Sequence, residues 1–168
     1  RGGPEIANRS RAELIGRLQS ENVMVFDPAP LLRAMEIAGE RPYMRFDSHW
    51  SPAGLDRAAA GLAAFLASRF DLGESMRFHR QARSFDRRAD LADLLGLDPE
   101  KNPFLIEPLE IQTVDGPDHK PFNSRRSDGR VLLLGDSFSR LLIRNKRKGG
   151  DANFAAQLAF HLRRPVDM

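Results

Sequence analysis

The chain has 168 residues, the size of one domain, and a domain of that size buries roughly 70% of the surface its unfolded chain exposes. It contains no cysteine, which excludes disulfides and thiolate metal sites, and no apolar run approaches the roughly 20 residues needed to cross a bilayer. The 26 Lys and Arg against 23 Asp and Glu leave a net charge of only +3, and one Trp and one Tyr do not supply the stacking aromatics of a single-stranded nucleic-acid groove.

Residues 1–9, with Gly2-Gly3-Pro4, read as irregular, and Arg1 opens no signal-peptide pattern. Ser10 is placed to cap a helix through about Ser20, with Glu13 completing a capping box and Ala12, Ile15 and Leu18, or else Leu14 and Leu18, on one side. Val23-Met24-Val25-Phe26 reads as a short buried strand closed by Asp27-Pro28, and a helix follows from Pro30 to about Ala38. Helix, strand and helix in succession are the alternation of an α/β domain.

Arg41 to Phe46 lead as an extended segment into Asp47-Ser48-His49-Trp50. Two residues apart, Asp47 and His49 point to the same side of an extended backbone, where a carboxylate can fix the imidazole tautomer. Asp47 accepting hydrogen bonds in a turn is the plainer alternative. Ser51 is suited to cap the next helix with Pro52 at its first position, and Ala58 to Phe65 give that helix a long apolar face. Trp50 reads as core packing first and as a wall of the site second.

From Phe70 to Asp128 the pattern is weaker. Asp86 through Leu95 suggest a short helix and Leu109 to Val114 a strand. His79, among basic residues, reads as exposed, and His119 lies in the Pro117–Ser127 loop with no role assigned. Arg80, Arg83, Arg87 and Arg88, like Arg125, Arg126 and Arg130, read as solvated surface. Asp47, His49, His79 and His119 have no compact ligand spacing, so no metal is expected, and no glycine-rich phosphate cradle or other cofactor motif occurs.

Gly129 to Ser139 hold the second informative stretch. Val131-Leu132-Leu133-Leu134 read as a strand buried on both faces at the centre of a parallel sheet, and Ser137 follows at its carboxyl end. Asp136 and Ser137 either cap the next helix or present a nucleophile, and the segment alone leaves both readings open. Leu141 to Gly150, with Arg144, Lys146, Arg147 and Lys148, reads as a mobile loop. Ala152 to Leu162 read as a helix, and Val166 begins a further strand.

Asp47-Ser48-His49-Trp50-Ser51-Pro52 and Leu134-Gly135-Asp136-Ser137-Phe138-Ser139 together resemble the two signature blocks of the alginate O-acetyltransferase family. Arg88 to Leu95, Phe154 to Ala159 and Arg164-Pro165-Val166-Asp167 also fit its pattern. The resemblance implies an α/β, SGNH-hydrolase-like three-layer sandwich with a central, mainly parallel sheet. Its motif order is circularly permuted, since Asp and His precede Ser, and the single domain 1–168 is cut at both ends. It further implies Ser137 as nucleophile, His49 as base and Asp47 as its orienting carboxylate, in a periplasmic transfer of acetyl groups onto a bacterial exopolysaccharide. Asp90 approaches the site in the family's pattern, although helix capping explains it equally well. A membrane-bound O-acyltransferase delivering the donor is the implied partner, and the arginines are then suited to guide an acidic polysaccharide. An acetyl esterase of the same fold and an inactive polysaccharide-binding domain are the two rival readings.

Overall fold

A computed structural model describes residues 8–98, 100–123, 129–142 and 151–168. Residues 1–7 of the start expected to be irregular, Arg125 and Arg126, and residues 143–150 of the expected mobile loop lie outside the described residues. Among the described residues six helices and four strands follow one another as α1 (Arg9–Ser20), α2 (Ala29–Ile37), α3 (Pro52–Ala67), β1 (His79–Arg88), α4 (Asp90–Leu94), β2 (Ile106–Asp115), β3 (Val131–Leu132), α5 (Ser137–Arg140), α6 (Phe154–Leu162) and β4 (Val166–Asp167). A 3-10 turn at Pro103–Leu105 precedes β2.

The first helix starts earlier than its sequence suggests. Asn8, rather than Ser10, is the cap, its side chain accepting the Arg11 N–H at 3.2 Å, so Ser10 and Glu13 form no capping box. No residue of α1 is buried. The expected strand at 23–26 is also absent: Val23 and Met24 are exposed, while Val25 and Phe26 are half-buried, Phe26 against Phe65 with ring centroids 5.6 Å apart. Four apolar residues make a strand only when a partner strand takes their backbone groups, and among the described residues no strand is paired with this segment.

The helix α3 forms as its local signals require. Ser51 caps it by accepting the Gly54 N–H at 3.0 Å, and Pro52 opens it, where a missing N–H costs nothing. Its buried face, Leu55, Ala58, Ala59 and Ala63, lies against Ala155, Ala156, Leu158 and Ala159 of α6. Small side chains on both surfaces let the two backbones approach closely. Gly54 has a stricter reason: a Cβ there would overlap the Pro42 carbonyl.

The strands β1 and β2 form an antiparallel pair in register from His79 opposite Asp115 to Arg88 opposite Ile106. Asp86 to Arg88 therefore belong to a strand, and only Asp90–Leu94 are helical, shorter than the helix read from the sequence. β2 buries Leu109, Ile111 and Val114 in the core. β3 pairs in parallel with β4, Val131 opposite Val166. Here the reading of a strand covered on both faces fails, because Leu132 is 67% and Leu134 84% exposed, whereas Val131 and Leu133 pack inward. Alternation of faces along a strand gives that result, and a uniform apolar run cannot reveal it.

One polar cluster ties these layers together. Asp56 of α3 accepts from Arg80 of β1 and pairs with His161 Nε2 of α6 at 2.7 Å, while the Arg80 guanidinium lies 3.8 Å above the Phe160 ring. Arg80 is thus half-buried and paired, not the solvated residue its neighbours suggested. Burial works to raise the Asp56 carboxyl, but hydrogen bonds from His161 and Arg80 outweigh it and hold the group below 3.8. A carboxyl depressed in the folded state stabilises above its unfolded value and loses that contribution as pH falls through the folded one. The thermal midpoint should therefore drop as pH is lowered through and below 3.8, and Asp56→Asn should flatten that drop while lowering the midpoint at neutral pH. Thermal melts of the two proteins across that range check it.

Candidate active site

The residues 41–51 form a loop pinned at its base. Ser51 N–H donates to the Pro42 carbonyl at 2.8 Å, Met44 N–H to that of His49 at 3.2 Å, and Tyr43 bridges Trp50. Asp47, Ser48 and His49 sit at the tip. The backbone there is bent rather than extended, and Asp47 holds the bend itself: its Oδ1 accepts the backbone N–H of His49 at 3.0 Å, the short-range bond typical of Asp in turns. The same oxygen lies 2.7 Å from Nδ1 of His49. The turn role and the imidazole-orienting role, alternatives in the sequence, are both played by one carboxylate.

Ser137 reaches the imidazole from the other half of the chain. Just beyond β3, Asp136 accepts the Phe138 N–H at 3.0 Å and caps α5, and Ser137 is the first helical residue. Its Oγ lies 2.9 Å from Nε2 of His49. With Nδ1–H donated to Asp47, as the bonding network assigns it, Nε2 accepts the serine hydroxyl. A Cβ on Gly135 would overlap the Ser139 side chain, so the turn into the serine requires glycine. Asp47 and His49 are 6% and 9% exposed, whereas Ser137 is open to solvent at the mouth of a cavity of about 560 Å3. Arg87, Arg140 and Leu142 complete its lining with the residues around the serine.

Trp50 links the two halves. Its indole stacks on Phe154 at 5.3 Å, meets Phe138 edge-on at 5.4 Å, and donates Nε1–H to the Phe138 carbonyl at 3.1 Å. It is therefore core packing that also fixes the serine turn against the histidine loop.

Two further neighbours serve this site: Arg87, which the sequence did not mark as a partner, and Asp90, which the family resemblance alone brought toward it. Arg87 donates Nε–H to Oδ2 of Asp47 at 2.7 Å, so one of the four clustered arginines serves the buried carboxylate. Burial works to raise the Asp47 carboxyl, yet the hydrogen bonds from Arg87 and His49, with the guanidinium charge, hold it below the ordinary carboxylate range. Asp90, at the start of α4, accepts the Ser48 N–H at 2.8 Å and also takes its hydroxyl; its Oδ2 is 3.3 Å from Nδ1 of His49. The only sequence cue for Arg87 is its two-residue spacing from Phe85, the period of a strand face.

His79 and His119 take no part in this constellation. They stack on each other with ring centroids 3.9 Å apart, and His79 is half-buried. Asp47, His49 and Asp90 do bring three ligand atoms within 4.8 Å of one another, a compact group that the sequence spacing did not suggest. The guanidinium already on Asp47 opposes a second positive charge there, so the donor set fits a hydrogen-bonded network better than a cation. Of the backbone donors after the serine, the Phe138 N–H is committed to Asp136 and the Ser139 N–H to the Asp136 carbonyl at 3.2 Å.

The chain is of the SGNH-hydrolase-like class by its match to that domain's family model, an α/β domain that here brings serine, histidine and aspartate into line beyond a parallel strand. Within it, the chain belongs to the family of the acetyltransferase AlgX SGNH hydrolase-like domain, whose model matches residues 4–168. Among curated proteins it is 30% identical over 129 residues to the probable alginate O-acetylase AlgJ of Pseudomonas fluorescens, a match covering 73% of this chain and 33% of that protein. Among solved structures it is similar to the O-acetyltransferase domain of Pseudomonas putida AlgJ, with a TM-score of 0.72 at 21% identity, over 99% of this chain and 54% of that one. AlgX of Pseudomonas aeruginosa superposes with a TM-score of 0.65 at 17% identity, over 95% of this chain and 34% of that one. The chain thus spans a third to a half of the length of these relatives.

Proposed function

We propose that this domain transfers acetyl groups through Ser137 onto hydroxyls of a bacterial exopolysaccharide such as alginate. The observation that carries the reading is the continuous line from Asp47 through His49 to the Ser137 hydroxyl, at 2.7 and 2.9 Å, opening onto solvent at the serine. In the first half-reaction His49 Nε2 takes the serine proton as Oγ attacks the acetyl carbonyl, then returns it to the leaving group of the donor. In the second, a sugar hydroxyl loses its proton to the same nitrogen and attacks the acetyl-serine, and the proton goes back to Ser137 as the C–O bond breaks. Asp47 holds the imidazole and balances the imidazolium in both. The Ser137 N–H is our candidate for a donor to the tetrahedral oxyanion.

Family membership supports the acetyl group and the polysaccharide acceptor. A periplasmic location and delivery of the donor by a membrane O-acyltransferase belong to the same reading, and no described helix is long and apolar enough to cross a membrane. The test is turnover of a chromogenic acetyl ester with and without oligouronates. A transferase is accelerated by the sugar and yields acetylated oligosaccharide; rates indifferent to sugar identify an esterase, and oligouronate binding without turnover identifies a binding domain.

A further inference from the structure

His49 Nδ1 carries a single proton, and Asp47 Oδ1 at 2.7 Å receives it. Asp90 Oδ2 at 3.3 Å is therefore a second negative charge against the same edge of the ring rather than a second full hydrogen bond. Asp90 also grips the residue between Asp47 and His49: both the N–H and the hydroxyl of Ser48 donate to it. The Ser48 oxygen, its proton given to Asp90, stands 3.3 Å from Nδ1. The charged groups facing the ring are Asp47 and Asp90 on one side, Arg87 behind Asp47, and Asp136 and Arg140 around the serine.

Arg87 has a consequence for this balance. Its guanidinium sits on the far oxygen of Asp47, so that carboxylate offers the ring less net negative charge than it would alone. When His49 takes the serine proton, Asp90 is the carboxylate at its Nδ1 edge that no arginine pairs with among the described residues. We propose that Asp90 is a positioning residue for His49: through Ser48 it fixes the bend that aims Asp47 and His49 at Ser137, and through Oδ2 it stabilises the imidazolium. The inference rests on His49 acting as the base.

Asp90→Asn separates the two tasks. The amide oxygen keeps an acceptor for the Ser48 N–H, while the charge beside Nδ1 is lost. We expect kcat for acetyl-ester turnover to fall about 3- to 30-fold with KM nearly unchanged, less than the roughly 10^2- to 10^4-fold that a proton-transfer group itself contributes, because His49 and Asp47 remain in place. The acid limb of the pH–rate profile should move to lower pH, because the protonated ring loses an opposite charge. Asp90→Glu should restore part of that displacement. Titration of the His49 ring followed by NMR in the parent chain and in Asp90→Asn gives the same comparison independently of turnover, with its midpoint moving down. Thermal melts of each variant accompany the rates.

A profile and ring titration that coincide with the parent's would overturn the inference, as would a loss of rate that merely tracks a fallen thermal midpoint. Failure of the underlying reading looks different: Ser137→Ala and His49→Ala would then retain turnover. If those two are inactive while Asp90→Asn matches the parent, only the role of Asp90 is wrong.

Discussion

Ser137→Ala should lose the acetyl-enzyme altogether and lower acetyl-ester turnover by about 10^3-fold or more, leaving whatever binding and the surrounding donors supply. Intact-protein mass after brief exposure to the ester reads the adduct directly, and peptide mapping locates it. The variant should fold normally. Ser137 is solvent-exposed at the first position of α5, its side chain bonds only His49 among the described residues, and alanine suits a helix start, so stability should stay within about 0.5 kcal/mol. An adduct that persists in Ser137→Ala would move the nucleophile elsewhere and end the proposed mechanism.

Asp47→Asn is expected to cost about 10^4-fold in kcat, for a reason visible in its three partners. The native carboxylate accepts from the His49 ring, from the His49 backbone and from Arg87. An amide has one acceptor oxygen for these three donors, and its NH2 turned toward Nδ1 would select the tautomer with the proton on Nε2, where the serine hydroxyl needs an acceptor. Turned toward Arg87, it would face a donor and leave the guanidinium half-buried against no charge. The effect should therefore appear in kcat rather than KM, with a loss of stability at neutral pH, measured by steady-state kinetics and thermal melts. An Asp47→Asn enzyme within tenfold of the parent would show that Asp47 only shapes the turn.

These expectations concern residues of which some were legible in the chain and others were not. The helix α3 was, because its determinants are local: Ser51 caps a backbone N–H three residues on, Pro52 sits where no donor is needed, and the alanines repeat at helical spacing. The pairing of Asp47 with His49 was legible for the same reason, two residues apart, although a bend held by Asp47 itself, not an extended strand, brings them together. Ser137 was singled out by the glycine-bounded turn after an apolar run, and its reach to His49 across 88 positions followed from the family resemblance and not from any pattern in the residues.

Partners of charge distant in the chain were beyond local pattern, and of them only Asp90 was brought toward the site, by the family resemblance. Arg87 and Arg83 look alike in the chain, yet Arg87 lies 2.7 Å from a carboxylate 40 positions away, while Arg83 remains exposed with a bond to Gln81. Asp90 and Asp93 begin the same short helix, and only Asp90 faces Ser48 and His49. The same holds for Asp56, Arg80 and His161, from three elements. What the sequence determined is what neighbouring residues settle between themselves: caps, turns and the existence of helices. Which face of β1 or β3 is covered, and which of several identical charges meets a buried partner, depended on how distant segments pack, since burial and pairing are properties of the assembled layers and leave no mark on local spacing.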